Sequence, residues 1–396
     1  MSGSPLALQG QAGGEELLTR ARRVAGTAAP LAAEIERERS LPPALVRELL
    51  EAGMMSLCLP RTLGGVEAEP REFVLALQEL ARGDGATGWC AMIASTSGLL
   101  GAYLPEDEAR AIYGGGATIS AGVFAPRGRA ERCEDGYRVS GRWPFVSGIG
   151  HSEWLMGGCI VHADGAPELH SGGRPDVRLM LMPAASVEVI DTWSVSGLRG
   201  TGSHDMAVED ELVPEARGVS LLSEPPRAAG ALYAFPLFGL LALGIASVAL
   251  GIARGAIEDL VELAAGKTPL GSARSLAQRG TVQAEVARSE AALRAACALM
   301  LDEVARAWEQ ALAGDAISTE RRMGLRLAAT HATRSAADVA RAMYELGGGS
   351  SIYEQSPLQR RFRDAHVATQ HMMVAPSTWE LTGRLLLGVE TDATQL

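Results

Sequence analysis

Cysteine, basic charge and unbroken apolar runs are all in short supply in this chain of 396 residues. The five cysteines, Cys58, Cys90, Cys133, Cys159 and Cys297, are odd in number, scattered and never spaced Cys-x-x-Cys. That excludes a disulfide frame and a cysteine-based metal site, and suits reduced thiols used as core filler. A formal charge of −11 with no basic arm or stripe excludes a nucleic-acid partner. No run of about 18 residues is apolar without polar breaks, so no membrane span is expected. The first residues lack the charged start and apolar core of a signal peptide. No Gly-x-Gly-x-x-Gly opens a helix after a strand, so no nicotinamide site is expected either. The expectation is a soluble, cytoplasmic protein that binds no metal.

What is present falls into three blocks. Residues 1–14 are rich in glycine and small polar residues and are expected to be flexible. Over 15–116 the apolar spacing is helical, as in Leu17, Leu18, Ala21, Val24 and Ala25. Pro42-Pro43 and Pro105 mark helix starts, and Ala86-Thr-Gly-Trp89 opens another helix. Over 117–228 the period changes to alternation, with a hairpin signal at Asp135-Gly136, further strands near 154–161, 177–182 and 186–190, and a surface loop over 167–174. Over 229–396 long alanine-rich runs, about 237–265, 272–312, 318–346 and 357–387, predict four helices. At 1.5 Å per residue a run of ~30 residues is about 45 Å long, which suits a four-helix bundle. The run from Phe235 to Ile252 carries Gly239, Gly244 and Gly251, a spacing that suits close helix contact.

Three motifs stand out. Gly141-Arg-Trp143-Pro-Phe145-Val146-Ser147-Gly148 is a packed strand ending in a turn, with Trp143 in the core. Arg199-Gly-Thr201-Gly-Ser203 is a polar turn whose donors suit a phosphate or a planar heterocycle edge. Gly347-Gly348-Gly349 interrupts two helical runs and allows close approach of a bulky ligand. Arg360, Arg361 and Arg363 follow and suit one phosphate-bearing ligand, and then come Asp364, His366 and His371. On an unbroken helix His366 and His371 lie about 140° apart and cannot share a site, so His366 is read as structural.

In order and spacing these motifs resemble the acyl-CoA dehydrogenase superfamily. The resemblance implies an α+β, mostly α fold: an N-terminal helical domain, a small central β-domain, a C-terminal four-helix bundle, and a homotetramer. It implies a flavin, FAD or FMN, contacted by Phe145, Val146, Ser147, Gly148, Arg199, Thr201 and Ser203. Gly347, Gly348 and Gly349 would meet its phosphate end, from a neighbouring subunit. Glu345 stands where the dehydrogenases have glutamine.

The chemistry turns on a departure from that family. Desaturation of an acyl thioester needs a positioned carboxylate base. Counting on from Arg363 by the family's interval lands on Met372, with His371 beside it, and the first long helix after residue 235 carries no acid early on. The pattern resembles instead the oxygenase components of two-component flavin monooxygenases, such as hydroxyphenylacetate hydroxylase and dibenzothiophene monooxygenase. That resemblance implies a separate NAD(P)H-dependent flavin reductase, O2, and oxygen transfer through a C4a-hydroperoxyflavin to a small, aromatic molecule. His371 would be the catalytic proton donor or acceptor, and Ser147 would contact flavin N5. Trp89, Ser95, Ser97 and Met372 would line the substrate pocket; Ser97 stands where hydroxylating relatives carry a histidine. An acyl-CoA dehydrogenase or oxidase with an unconventional base, and a flavin-free scaffold, are the competing readings.

Overall fold

The structure is a computed structural model that describes residues 5–170, 172–221 and 223–396. Met1–Ser4 of the expected flexible lead, and Ser171 of the expected surface loop, lie outside the described residues. The remainder of that lead, from Pro5, belongs to the first helix rather than to a flexible segment.

The chain opens with α1 (Pro5–Ala28), α2 (Ala32–Glu38), α3 (Pro43–Glu51), α4 (Pro70–Gly83), α5 (Gly85–Ser97) and α6 (Glu106–Tyr113). Local chemistry sets their starts. Proline occupies the first turn of α3 and α4, where a missing N–H costs nothing. Glu69 and Glu72 form a reciprocal capping box on α4. Asp84 caps α5, accepting both Thr87 N and Thr87 Oγ1 at 2.8 Å.

Strands β1 (Ser120–Cys133), β2 (Gly136–Trp143), β3 (Trp154–Ala163), β4 (Ala166–Pro167), β5 (Val177–Pro183), β6 (Glu188–Ile190), β7 (Asp205–Pro214) and β8 (Gly218–Val219) form one sheet. Its order is β6-β7-β2-β1-β3-β5-β8, with β4 paired to β3. The β1–β2 hairpin pairs Cys133 with Gly136, and Gly136 has φ +134°, so the expected Asp-Gly turn is realised. Phe145-Val146-Ser147-Gly148, expected on a strand, is not: β2 ends at Trp143, and Phe145 and Gly148 turn the chain at φ +68° and +76°. Residues 184–186 form a short 3-10 turn ahead of β6.

The C-terminal part holds α7 (Ala231–Ala234), α8 (Leu237–Gly266), α9 (Gly280–Ala313), α10 (Thr319–Gly347), α11 (Pro357–Ala368) and α12 (Ser377–Leu386). The fourth long helix of the expected bundle is therefore two. The chain leaves the helix at Ala368, makes a short turn at Met372–Val374 and restarts at Ser377. Pro376 is the physical reason: Ala375, which precedes it, is forced extended with ψ 162°. The break moves His371 off any helix, so the angular argument separating it from His366 does not apply.

α8 is long and apolar enough to cross a membrane, yet that stretch is mostly buried inside the protein. One apolar cluster joins α1–α5 to α8–α11. Glycines on α8 allow the approach: a Cβ at Gly251 would stand 2.3 Å from Gln78 O, and one at Gly244 would stand 2.7 Å from Met92 Cγ. Gly251→Ala should therefore destabilise the protein by about 1–3 kcal/mol through overpacking, although alanine is the better helix former. Gly26→Ala on α1, where a Cβ meets nothing within 4 Å, should instead stabilise by roughly 0.5–1 kcal/mol. Urea unfolding of the two variants checks the opposite signs.

Candidate active site

Two turns lace together at the mouth of the sheet. Val146 N donates to His204 O at 3.1 Å, and Gly148 N to Thr201 O at 2.8 Å. The second turn is held in the left-handed region at Leu198 and Gly202, each with φ +51°. Leu198 N donates to Asp364 Oδ1 at 2.6 Å. The Leu198 carbonyl accepts from Thr201 Oγ1 at 2.8 Å and Trp193 Nε1 at 3.2 Å. Gly200 presses on Ile35 and Ala86, so α2 and α5 close over this turn.

Between the turns runs a buried chain of side chains. Trp89 Nε1, on α5, donates to Ser147 Oγ at 3.0 Å. Ser147 Oγ lies 2.7 Å from Ser203 Oγ, which lies 2.7 Å from Thr201 Oγ1. Proton counting fixes the direction. Each hydroxyl has one hydrogen, and that of Thr201 goes to the Leu198 carbonyl. Ser203 must then donate to Thr201, and Ser147 to Ser203. The run is a one-way relay, Trp89 to Ser147 to Ser203 to Thr201 to Leu198 O.

His371 stands against its head: the Trp89 and His371 rings meet edge-on with centroids 5.9 Å apart. His371 Nδ1 accepts from Met373 N at 3.2 Å, which leaves the proton of the neutral imidazole on Nε2. Burial, reinforced by the Arg326 cation, pushes its pKa down to about 4, so the ring is neutral near pH 7. Arg326 Nη2 reaches the same turn, donating to Met373 O at 3.0 Å. Among the described residues no carboxylate hydrogen-bonds to Trp89, Ser147, Ser203, Thr201 or His371. His371 Nε2–H can donate to an oxygen atom and hand over its proton, but the cluster holds no carboxylate to abstract one from carbon.

Of the sequence candidates, the structure brings together Trp89, Ser147, Val146, Gly148, Thr201, Ser203 and His371. Phe145 lies beside them, 67% exposed and edge-on to Trp193 with centroids 6.2 Å apart. Arg199 is half-buried, pairs with no carboxylate among the described residues, and has a buried Nε without a partner. Met372 is exposed at 58% beside His371. Ser95 does not face this cluster freely: its hydroxyl ties Leu57 N to Met54 O, at 3.2 and 3.0 Å. Ser97 is buried at the end of α5. One turn and two turns on from Trp89, the same helical face carries Met92, Ile93 and Thr96.

Gly347, Gly348 and Gly349 stand apart. They end α10, and roughly 30 Å of that helix separates them from Arg326 beside the His371 turn. Gly348 has φ +54°, a Cβ at Gly349 would meet nothing within 4 Å, and Lys267 Nζ donates to Gly347 O. Glu345 is paired with Arg341 at 3.2 Å. The arginine cluster is not free for a ligand. Arg361 is buried against Asp259 at 3.1 Å and the carbonyls of Ala81 and Gly83, while Arg363 pairs with Glu36 at 2.6 Å. His366 is half-buried on α11, its Nδ1 lying 2.7 Å from Phe362 O. Sequence reasoning missed Trp193, Asp84 and Arg326. For Arg326 a signal existed, because it continues the buried spacing Ala329, Thr330, Thr333, Ala336 and Ala337 on α10.

Residues 14–111 match the acyl-CoA dehydrogenase N-terminal domain and residues 243–376 the acyl-CoA dehydrogenase C-terminal domain. The chain is 35% identical to indole-3-acetate monooxygenase of Pseudomonas putida, over 90% of its own length and 89% of that protein's. It is 29% identical to the FADH(2)-dependent resorcinol hydroxylase, oxygenase component, of Rhizobium sp., over 93% and 94% of the two chains. Among solved structures, XiaF from Streptomyces sp. in complex with FADH2 and glycerol superposes with a TM-score of 0.88 at 26% identity, covering 98% of each chain. The protein belongs to the acyl-CoA dehydrogenase superfamily, in its branch of flavin-dependent monooxygenase oxygenase components.

Asp364 gives this site a pH signature. Burial, with Asp84 nearby, raises its pKa to about 7, against the opposing hydrogen bond from Leu198 N. A carboxyl raised above its unfolded value contributes stability that is full below the unfolded pKa and is lost as pH climbs through the folded one. Stability of the native protein relative to Asp364→Asn should therefore fall between about pH 4 and pH 7. Urea midpoints measured across that window check the sign.

Proposed function

We propose that this chain is the oxygenase half of a two-component system, taking reduced flavin from a separate NAD(P)H-dependent reductase and oxygenating a small aromatic molecule. The observation that carries this reading is the donor set around His371: a neutral imidazole with its proton on Nε2, an indole N–H and a hydroxyl relay, with no carboxylate among them. The rival, desaturation of an acyl thioester, needs the base that this set lacks.

The residues present fit a flavin. Phe145 exposes a ring beside a turn of left-handed backbone, and Arg199 offers an unpaired guanidinium of the sign that a phosphate or a reduced, anionic ring attracts. The turn 145–148, Arg199, Thr201 and Ser203 would hold it from one subunit. Gly347, Gly348 and Gly349, with Lys267 beside them, are too far along α10 to join the same site in one chain, so they would serve a neighbouring copy in a homotetramer. Reduced flavin, FADH2 being the form that the relatives' names give, supplies two electrons to O2, so that one oxygen atom enters the substrate and the other leaves as water.

The protein's own residues do the rest. Trp89 closes the site against water and points its N–H to Ser147. Ser147, with its hydrogen committed to Ser203, keeps a lone pair for an N–H donor. His371 holds its Nε2 proton toward the oxygen that departs. Met92, Ile93, Thr96 and Met372 would bound the substrate, and indole-3-acetate and resorcinol, the compounds named for the relatives, are the first to try. Reliance on a nicotinamide-dependent reductase supports a cytoplasmic location.

With FADH2 kept reduced by a reductase, the protein should convert an aromatic substrate with little peroxide released. His371→Ala should cut product formation by roughly 10²-fold, the scale of losing one general acid, and divert the O2 consumed to peroxide. Measured product and peroxide per O2 check this; unchanged coupling would remove His371 from the chemistry.

A further inference from the structure

We infer that Arg326 is the positioning residue of the histidine, locking the Met372–Val374 turn so that the imidazole presents Nε2–H to the site. The inference rests on the reading of His371 as proton donor, and it concerns a residue one step removed from the reaction.

Arg326 is an unusual side chain to find inside a protein. It is 4% exposed, forms no ion pair among the described residues, and its Nε is buried without a partner. Its contacts are uncharged. Nη2 donates to Met373 O at 3.0 Å and to Thr378 Oγ1, on α12, at 3.4 Å, while Nη1 donates to Gln395 O. Burying a guanidinium without a counter-ion costs more than hydrogen bonds to carbonyls return. Stability does not explain the residue; geometry does. Residue Met373 is held at both of its backbone groups: its N–H, in the 372–373 peptide, meets His371 Nδ1, and its carbonyl, in the 373–374 peptide, accepts from Arg326. Arg326 pins the Met372–Val374 turn through that carbonyl and Thr378, the turn aims the Met373 N–H at the ring, and the N–H decides which imidazole nitrogen carries the proton.

Few other charges stand on the elements packed around the turn, and on α9 Glu303 lies against Gly324 of α10, with Oε2 buried without a partner. The part of α8 facing the turn, from Leu237 to Ala253, has no titratable residue. On α5 the ionisable neighbour is Cys90, whose thiol burial keeps protonated. Along α10, Arg322 is engaged by Ala393 O and Arg334 by Thr369 O. On α12 Glu380 is exposed, and in the tail Asp392 pairs with Arg174 at 3.1 Å. Two effects of Arg326 on His371 therefore coincide: the fixed turn sets the tautomer, and the cation opposes a second proton on the ring.

Nitrogen-15 NMR of histidine-labelled, flavin-free protein separates them without any turnover. In the native protein His371 should stay neutral, with Nε2 protonated, throughout the range from neutral to about pH 5. Arg326→Met should raise its titration midpoint and mix the tautomers, without lowering the unfolding midpoint. Arg326→Lys, which keeps charge but cannot bridge the same carbonyls, should hold the ring neutral while the tautomers mix. A folded Arg326→Met or Arg326→Lys protein in which His371 keeps both its midpoint and its single tautomer would overturn the inference. That outcome is independent of the coupling assay on His371→Ala, so failure here and failure of the oxygenase reading remain distinguishable.

Discussion

Both backbone groups of Leu198 are engaged, and the rest of the site depends on it. The residue sits in the left-handed region at φ +51°, a conformation that costs a residue with a Cβ about 1–2 kcal/mol. Asp364 on α11 holds its N–H, and Thr201 and Trp193 hold its carbonyl. Those bonds tie the bundle to the sheet turn at the point where α2 and α5 close over it. They also commit the Thr201 proton, and that alone orients the relay back through Ser203 and Ser147 to Trp89. A buried network of this kind stabilises only when every member is satisfied, and here the hydrogens add up in one direction.

The electrostatics of the site follow from the same constraint. A dehydrogenase works by placing a charged base beside carbon. This site disfavours charge on its ionisable groups: His371 is held neutral by burial and the Arg326 cation, and burial beside Asp84 raises the pKa of Asp364 against the opposing bond from Leu198 N. What remains for a ligand is the Nε2–H of His371, a lone pair on Ser147 and, among the described residues, an unpaired guanidinium at Arg199. An imidazole N–H beside a guanidinium stabilises oxygen that is gaining negative charge, and the imidazole supplies a proton to it. The chemistry that the relatives' names describe is of that kind.

Much of this was legible in the sequence, for reasons that differ from residue to residue. Helix starts at Pro43, near Ala86 and at Pro105 are local chemistry, and the Asp135-Gly136 hairpin needs only its own two residues. The order of the Phe145–Gly148, Arg199–Ser203 and Gly347–Gly349 motifs carried the fold by resemblance. What could not be read was anything decided by proline or by distant partners. Pro376 splits the last long helix and lifts His371 into a turn, although the apolar pattern runs on across it. The Phe145 turn is left-handed because it answers to the 198–204 loop, more than fifty positions away in the chain. Arg360, Arg361 and Arg363 suggested a phosphate, but Asp259, Glu36 and backbone carbonyls claim Arg361 and Arg363. Ser95 looked like a pocket residue because its partners, Met54 and Leu57, come from a different helix end.

Oxygen transfer without a carbon base is the claim on which everything else turns, and isotope labelling tests it most directly. Under labelled dioxygen, with FADH2 and an aromatic substrate such as indole-3-acetate, the account predicts one labelled oxygen atom in each product molecule. Product formed without label, or bound oxidised flavin bleached by an acyl-CoA thioester in the absence of a reductase, would contradict it.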